Sequence, residues 1–261
     1  MKIPIVDSAG NPAWPELFPL EKINDLQRIV GPRHFSAQMM LEYVSEEKAY
    51  LDPGALKFYN DDFDYHSSRI GEHLITGVSL YWDPSSGHRT SDGSVCALVY
   101  RDDKNKLAFI HDIIYMRVSD EDIQPLTTQC EQVLVFMQQH KINRIGVETN
   151  GIGNALPEIL HRISDTKQMS INIIQIANHI KKETRILNAI EPMLNTGRLF
   201  ARTTIQQTML LSEMLAWSPI GSHEHDDSLD AVAGALVMTP SSTRALTNRV
   251  GLIKANIDFK I

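Results

Sequence analysis

Three short apolar segments lie close together in the middle of the chain, and their spacing limits the folds available. LITGVSLYW (74–82), GSVCALVYR (93–101) and KLAFIHDIIYM (106–116) have the length and the β-branched and aromatic content of strands. Asp83-Pro84 closes the first, and the polar stretch Asp102-Asp103-Lys104-Asn105 turns the second directly into the third. Connections this short join antiparallel neighbours, so the segments predict an antiparallel meander. Beyond residue 118 the period changes. Ser119-Asp120-Glu121-Asp122 is capping-box-like and opens a helix to about His140, with Leu126, Cys130, Val133, Leu134 and Met137 on one face. Strand 143–148, helix 153–164, strand 171–177, helix 181–195 ended by Gly197, strand 198–201, helix 204–216 and helix 226–238 follow. A meander followed by alternating helices and strands specifies an α/β fold: a mixed central sheet of three antiparallel strands and then parallel strands, flanked by helices. Periodicity does not give the strand order.

Residues 1–70 differ in texture. They are rich in proline, with aromatic residues at Trp14, Phe18, Phe35, Tyr43, Tyr50, Phe58 and Tyr59 and an acidic run at Asp61, Asp62 and Asp64. A helix is expected at 20–30, stopped by Gly31-Pro32, and another at 33–44. The expected organisation is a linker or arm over 1–70, one domain over 71–240 and a tail over 241–261.

Charge narrows the function. With 32 acids against 25 bases and a net charge of −7, the chain is not a uniformly basic nucleic-acid coat. The charge is uneven: residues 41–122 hold 16 acids and eight bases, whereas residues 141–202 hold nine bases against five acids. That basic stretch centres on His179, Lys181, Lys182 and Arg185, followed by Arg198 and Arg202. On charge alone it reads as a solvated helix face. Cys96 and Cys130 sit in apolar surroundings without a C-x-x-C pairing, which suggests buried, reduced thiols. No basic-then-apolar leader and no apolar run of about 18 residues occurs, so a soluble cytoplasmic protein with no membrane partner is expected.

The carboxylates carry the chemistry. Asp83 ends the first strand on the face of Ser79 and Tyr81, opposite Val78, Leu80 and Trp82. Glu148 ends the fourth strand in RIGVETNGIGN, and Asp226, Asp227 and Asp230 open the last helix, where Asp227 and Asp230 share a face. Taken singly, acids at a helix N-terminus are ordinary capping. Taken together, acids from different rigid elements are what a hard divalent cation requires. Two such ions roughly 3.5–4 Å apart activate a water and stabilise a leaving 3′ oxygen, which is phosphodiester hydrolysis without a covalent intermediate. Other candidates are weaker. His223-Glu224-His225 lacks zinc-site spacing, and Ser85 and Ser86 lack a G-x-S-x-G setting. Trp217 and the methionines Met193, Met209 and Met214 read as core.

These motifs, in this order, resemble the nuclease domain of tailed-phage terminase large subunits, which has the RNase H-like fold also found in RuvC-type resolvases. WDPSSG (82–87) resembles the family's first metal-binding strand, Ser91-Asp92-Gly93 the hairpin that follows, VETNGIGNALPEIL (147–160) the second acidic motif and HDDSLDAVAGAL (225–236) the third. KKETRILNAIEPMLNTGRLF (181–200) is similar to the family's basic helix and following strand, and residues 14–43 to the connection between its ATPase motor and its nuclease. The resemblance implies a metal-dependent endonuclease that cuts double-stranded DNA with little sequence specificity during phage genome packaging. It implies Asp83, Glu148 and Asp227 as catalytic residues, and Asp83, Glu148, Asp226, Asp227 and Asp230 as ligands of two Mg²⁺ or Mn²⁺ ions, with Asp83 bridging them. Lys181, Lys182 and Arg185 would approach the DNA backbone. The implied partners are DNA, an ATPase motor domain or subunit, the small terminase and the portal. No Gly-Lys dipeptide occurs, hence no Walker A loop, so a separately encoded or truncated C-terminal portion without its own ATP hydrolysis is expected. A RuvC-like Holliday-junction resolvase and a non-catalytic packaging remnant are the alternatives.

Overall fold

A computed structural model describes residues 3–7, 10–30, 35, 39–41, 49–86, 93–220 and 226–243. The elements in chain order are α1 (Leu20–Val30), β1 (Lys57–Tyr59), β2 (Arg69–Ile70), β3 (His73–Leu74), β4 (Gly77–Asp83), β5 (Ser94–Asp102) and β6 (Leu107–Met116). They continue with α2 (Pro125–Gln139), β7 (Arg144–Glu148), α3 (Leu156–Thr166), β8 (Asn172–Ile176), α4 (Lys182–Asn195), β9 (Leu199–Arg202), α5 (Leu210–Ala216), α6 (Asp227–Val237) and β10 (Ser241–Ser242).

The main sheet runs β1-β9-β6-β5-β4-β7-β8, with β10 pairing antiparallel to the start of β4. β4, β5 and β6 form the expected meander, and β7 and β8 extend it in parallel beyond β4. At the other side β9 and then β1 add in parallel to β6. β1 was not foreseen. It is three residues long and pairs with a strand about 140 positions away, so no local pattern announces it.

Several boundaries move for local reasons. Leu74 leaves the first expected strand and, with His73, pairs with Arg69 and Ile70, so β4 begins at Gly77. The helix expected after Ser119 begins at Pro125, whose fixed φ suits the first turn, while the Asp122 carboxylate accepts from Gln124 N–H and Thr128 Oγ1. The helices expected at 153–164 and 204–216 each open with a 3₁₀ turn, Gly151–Ala155 and Thr203–Gln207. Most of the expected helix 33–44, the Ser91-Asp92 hairpin, His223-Glu224-His225 and the tail beyond 243 lie outside the described residues.

Alternation along the central strands fills two cores. Val78, Leu80 and Trp82 of β4, with Cys96, Leu98 and Tyr100 of β5, face α2 and α3 through Cys130, Val133, Leu134, Met137, Leu156 and Leu160. Tyr81, Val95, Ala97 and Val99 face the other way, toward Ile186, Ile190 and Leu194 of α4 and Leu229, Val232 and Ala233 of α6. Cys96 and Cys130 are buried and free. Trp217 and Met214 are core as expected, but Met209 is 40% exposed because it precedes α5 as its N-cap residue and faces outward. Among the described residues no helix is long and apolar enough to cross a membrane.

α6 is buried from Asp227 to Leu236, and small residues let it lie directly on the sheet. A β-carbon at Gly234 would overlap the Tyr81 ring. Gly234→Val should therefore destabilise the protein by about 1–3 kcal/mol, more than the roughly 0.3–0.5 kcal/mol of helix propensity that replacing glycine by valine returns. A lowered urea midpoint in circular dichroism is the expected result; an unchanged or raised one would show the contact to be slack.

Candidate metal centre

β4 and β7 run in parallel with Trp82 opposite Val147, so Asp83 and Glu148 leave the sheet side by side at its carboxyl edge. Strand ends of this kind are where loops diverge and a crevice opens. Beyond Glu148 the chain must fold back sharply over the strand. Gly153 permits this, since a β-carbon there would overlap the Glu148 carbonyl oxygen. α6, packed on the Tyr81 face of the sheet, places Asp230, one turn in, over the same edge. One carboxylate oxygen from each of Asp83, Glu148 and Asp230 then lies within 4.8 Å of the other two. They line a cleft of about 270 Å³ together with Asp227, Lys182 and Arg185.

Of the three acids expected from the start of the last helix, one joins Asp83 and Glu148. Asp230 completes the cluster, whereas Asp227 adjoins it and accepts from the Gly93 N–H at 2.6 Å through Oδ2. Asp226 turns to Lys182, whose Nζ is 2.7 Å from its Oδ1, 3.6 Å from Asp230 Oδ2 and 3.9 Å from Asp227 Oδ1.

The cations expected at the DNA backbone divide. Lys181 is exposed at the start of α4, but Arg185 is only 8% exposed, and its guanidinium reaches Asp230 through Nε at 2.8 Å and through Nη2 at 2.5 and 2.6 Å. Its Nη2 is also 3.3 Å from Glu148 Oε2. Arg185 is thus spent on carboxylates rather than offered to a phosphate, and Lys182 is held among the same acids. The physical reason is α4's rotation: the face carrying Ile186 and Ile190 packs on α6, which carries Arg185 inward with it.

Crowding raises proton affinity in the cleft. Burial, followed by the negative charge of Asp230, Glu148 and Asp227, holds the Asp83 carboxyl well above the usual carboxylate range, against the pull of Lys182. Burial also raises Asp230, opposed by Arg185 and Lys182. Burial disfavours the Lys182 ammonium, but Asp230, Asp83 and Asp226 outweigh that and raise it above an ordinary lysine.

Three supports were not legible as site residues. Glu213 of α5 is buried and accepts from Ser228 N–H at 3.0 Å, Ser228 Oγ at 2.5 Å and Leu229 N–H at 3.1 Å. It caps α6 from another helix, the role that Asp226 would fill in a self-capped helix. A single acid in the apolar run LLSEMLAW was the available signal. Tyr81 OH donates to Glu148 Oε2 at 2.6 Å, and Asn178 Nδ2 donates to the same oxygen at 2.7 Å. No sequence signal marks Asn178, because its loop reaches Glu148 only through the β7-β8 pairing.

Comparison with known proteins bears on the family and the fold. Residues 83–199 match the family model described as Terminase Bacteriophage T7, Ribonuclease H-like domain, which bears out the resemblance read from the sequence. Comparison with curated protein sequences finds no match. Among solved structures, the P22 large terminase nuclease domain is similar at a TM-score of 0.50 and 11% identity, covering 77% of this chain and 97% of that one, and it supports the RNase H-like fold. The large terminase nuclease of thermophilic phage G20c with bound cobalt aligns at 0.49 and 14% identity over 74% of this chain and 98% of that one. The human cytomegalovirus terminase nuclease domain, manganese-soaked and inhibitor-bound, aligns at 0.49 and 17% identity over 74% and 93%.

Because Glu213 satisfies the α6 N-terminus, its loss should cost the fold before it costs chemistry. Glu213→Ala is expected to destabilise the protein by about 2 kcal/mol, the range for a buried bond to a charged group, and Glu213→Gln by less, since the amide oxygen still accepts. Equal urea midpoints for Glu213→Ala and the parent protein would contradict the capping role.

Proposed function

We propose that the chain is a metal-dependent endonuclease that cuts double-stranded DNA with little sequence specificity during phage genome packaging. The observation that carries this reading is the convergence of Asp83, Glu148 and Asp230, from three separate elements, to within 4.8 Å. Their donor set fits a hard divalent cation: carboxylate oxygens alone, on rigid backbone. The cleft lines four acids, Asp83, Glu148, Asp227 and Asp230, with two cations, Lys182 and Arg185, which leaves an excess of negative charge for such an ion to neutralise. The family match over 83–199 supports the assignment to terminase nucleases.

In this reading Asp83, Glu148 and Asp230 hold Mg²⁺ or Mn²⁺, and Asp227 and Asp226 complete a second ion's surroundings at the mouth of α6. When bound, two such ions supply Lewis acidity to the attacking water and to the leaving 3′ oxygen. The chain's own residues do the positioning. Arg185 clamps Asp230 against Glu148, and Lys182 spans Asp226, Asp227 and Asp230, so the carboxylates are prevented from splaying apart. Lys181, exposed at the start of α4, is the member of the basic stretch placed to meet a phosphate, and a contact of that kind positions a duplex without reading its sequence. The linker over 1–70, the nuclease domain over 71–240 and the tail over 241–261 belong to the same proposal. So do an ATPase motor domain or subunit, the small terminase and the portal as partners, and the host cytoplasm as the place of action.

Purified protein should nick or linearise supercoiled plasmid with Mn²⁺ or Mg²⁺ and leave it intact with EDTA. Removing a direct ligand should cost more than losing an outer partner does, so Asp83→Ala is expected to lower cleavage by more than about 100-fold. Cleavage by Asp83→Ala at the parent rate would sink the assignment.

A further inference from the structure

Glu148 is held unevenly. Its Oε2 accepts from Tyr81 OH at 2.6 Å and from Asn178 Nδ2 at 2.7 Å, and Arg185 Nη2 stands 3.3 Å away. Asn178 Nδ2 uses its second hydrogen on Tyr81 OH at 2.8 Å, so the phenol accepts from the amide while donating to the carboxylate. Each donor hydrogen in this triangle is used once, which fixes the amide orientation and the phenol rotor together. A carboxylate oxygen that already accepts two hydrogen bonds and faces a guanidinium has little capacity left for a cation, whereas no such donor meets Oε1 among the described residues.

The triangle is itself anchored. Asn150 Nδ2 donates to the Asn178 carbonyl at 2.9 Å, and Asn178 N–H donates to Asn150 Oδ1 at 2.9 Å. These reciprocal bonds tie the turn after β7 to the turn after β8, so Asn178 cannot drift from Glu148 without breaking both. Tyr81 is fully buried in the sheet face under α6.

We propose that Asn178, acting with Tyr81, is a positioning residue that presents Glu148 to a divalent cation through Oε1 alone. Asn178 also lines the cleft, but its side-chain amide hydrogens are both committed to Glu148 and Tyr81, so it acts on the ion through Glu148. The inference rests on the metal reading above, and it adds that the affinity of the site is set from outside the acidic motifs, by an asparagine on the β8-α4 loop. Outer partners of this kind typically govern metal affinity by about 10- to 100-fold.

The test is Mn²⁺ titration by calorimetry on the parent protein, Asn178→Ala, Glu148→Gln and the double variant, with the melting temperature of each recorded in EDTA. Asn178→Ala is expected to bind Mn²⁺ about 10- to 100-fold more weakly at an unchanged metal-free melting temperature, and to cost nothing further in the Glu148→Gln background. The loss would then pass through Glu148, which general damage to the loop would not reproduce. Tyr81→Phe, which keeps the ring and its packing, is expected to weaken binding in the same direction. Parent-level affinity in Asn178→Ala, or an equal further loss in the Glu148→Gln background, overturns the inference while leaving the metal site standing. Absence of Mn²⁺ binding by the parent protein overturns the metal reading and this inference with it.

Discussion

Like charges confined in a half-buried cleft repel, and most of what is distinctive in this chain answers that repulsion. Two carboxylates about 4 Å apart oppose each other by roughly 4 kcal/mol at an effective dielectric constant near 20, a large fraction of the 5–15 kcal/mol by which a domain is typically stable. Asp83, Glu148 and Asp230 bring one oxygen each to within 4.8 Å of the others, and burial adds to the difficulty of keeping Asp83 and Asp230 ionised. Lys182 and Arg185 offset part of the excess from α4. A divalent cation would offset the rest, so an arrangement costly to the bare fold is well suited to binding metal.

The fold imposes the crowding through elements that cannot yield. Parallel pairing of β4 and β7 puts Asp83 and Glu148 in adjacent strand ends, and neither can move without disturbing the centre of the sheet. α6 is pressed onto Tyr81 at Gly234, which sets its height above the sheet, and Glu213 grips its first turn, which sets its N-terminal end. Asp230 follows from those two constraints. Tyr81 joins both halves of the design, since its ring supports α6 and its hydroxyl holds Glu148.

Much of this was legible in the sequence, and what was not has a common cause. The meander was readable because period-2 alternation and a tight polar turn are local signals, and β4, β5 and β6 form where those signals stand. Asp83 and Glu148 were readable as strand-terminal acids for the same reason. The parallel addition of β1 to β9 was not, because three residues at the sheet edge carry no period and their partner is remote in sequence. Nor could helix rotation be read. Asp227 and Asp230 lie on one face in any helix, but packing of α6 on β4 and β5 decides which of them meets Asp83. Packing of α4 on α6 likewise turned Arg185 from an expected DNA contact into a buried partner of Asp230. Charge along a sequence identifies a basic helix without saying which way it faces.

The Asp83, Glu148 and Asp230 carboxylates are proposed to hold a divalent cation together. Anomalous X-ray scattering from a manganese-soaked crystal of the protein addresses it most directly. An anomalous peak is expected in the cleft within coordination distance of Asp83, Glu148 and Asp230, with Glu148 contributing Oε1. A well-ordered crystal at millimolar Mn²⁺ with no peak among these carboxylates, and Lys182 and Arg185 still paired to them, would contradict it.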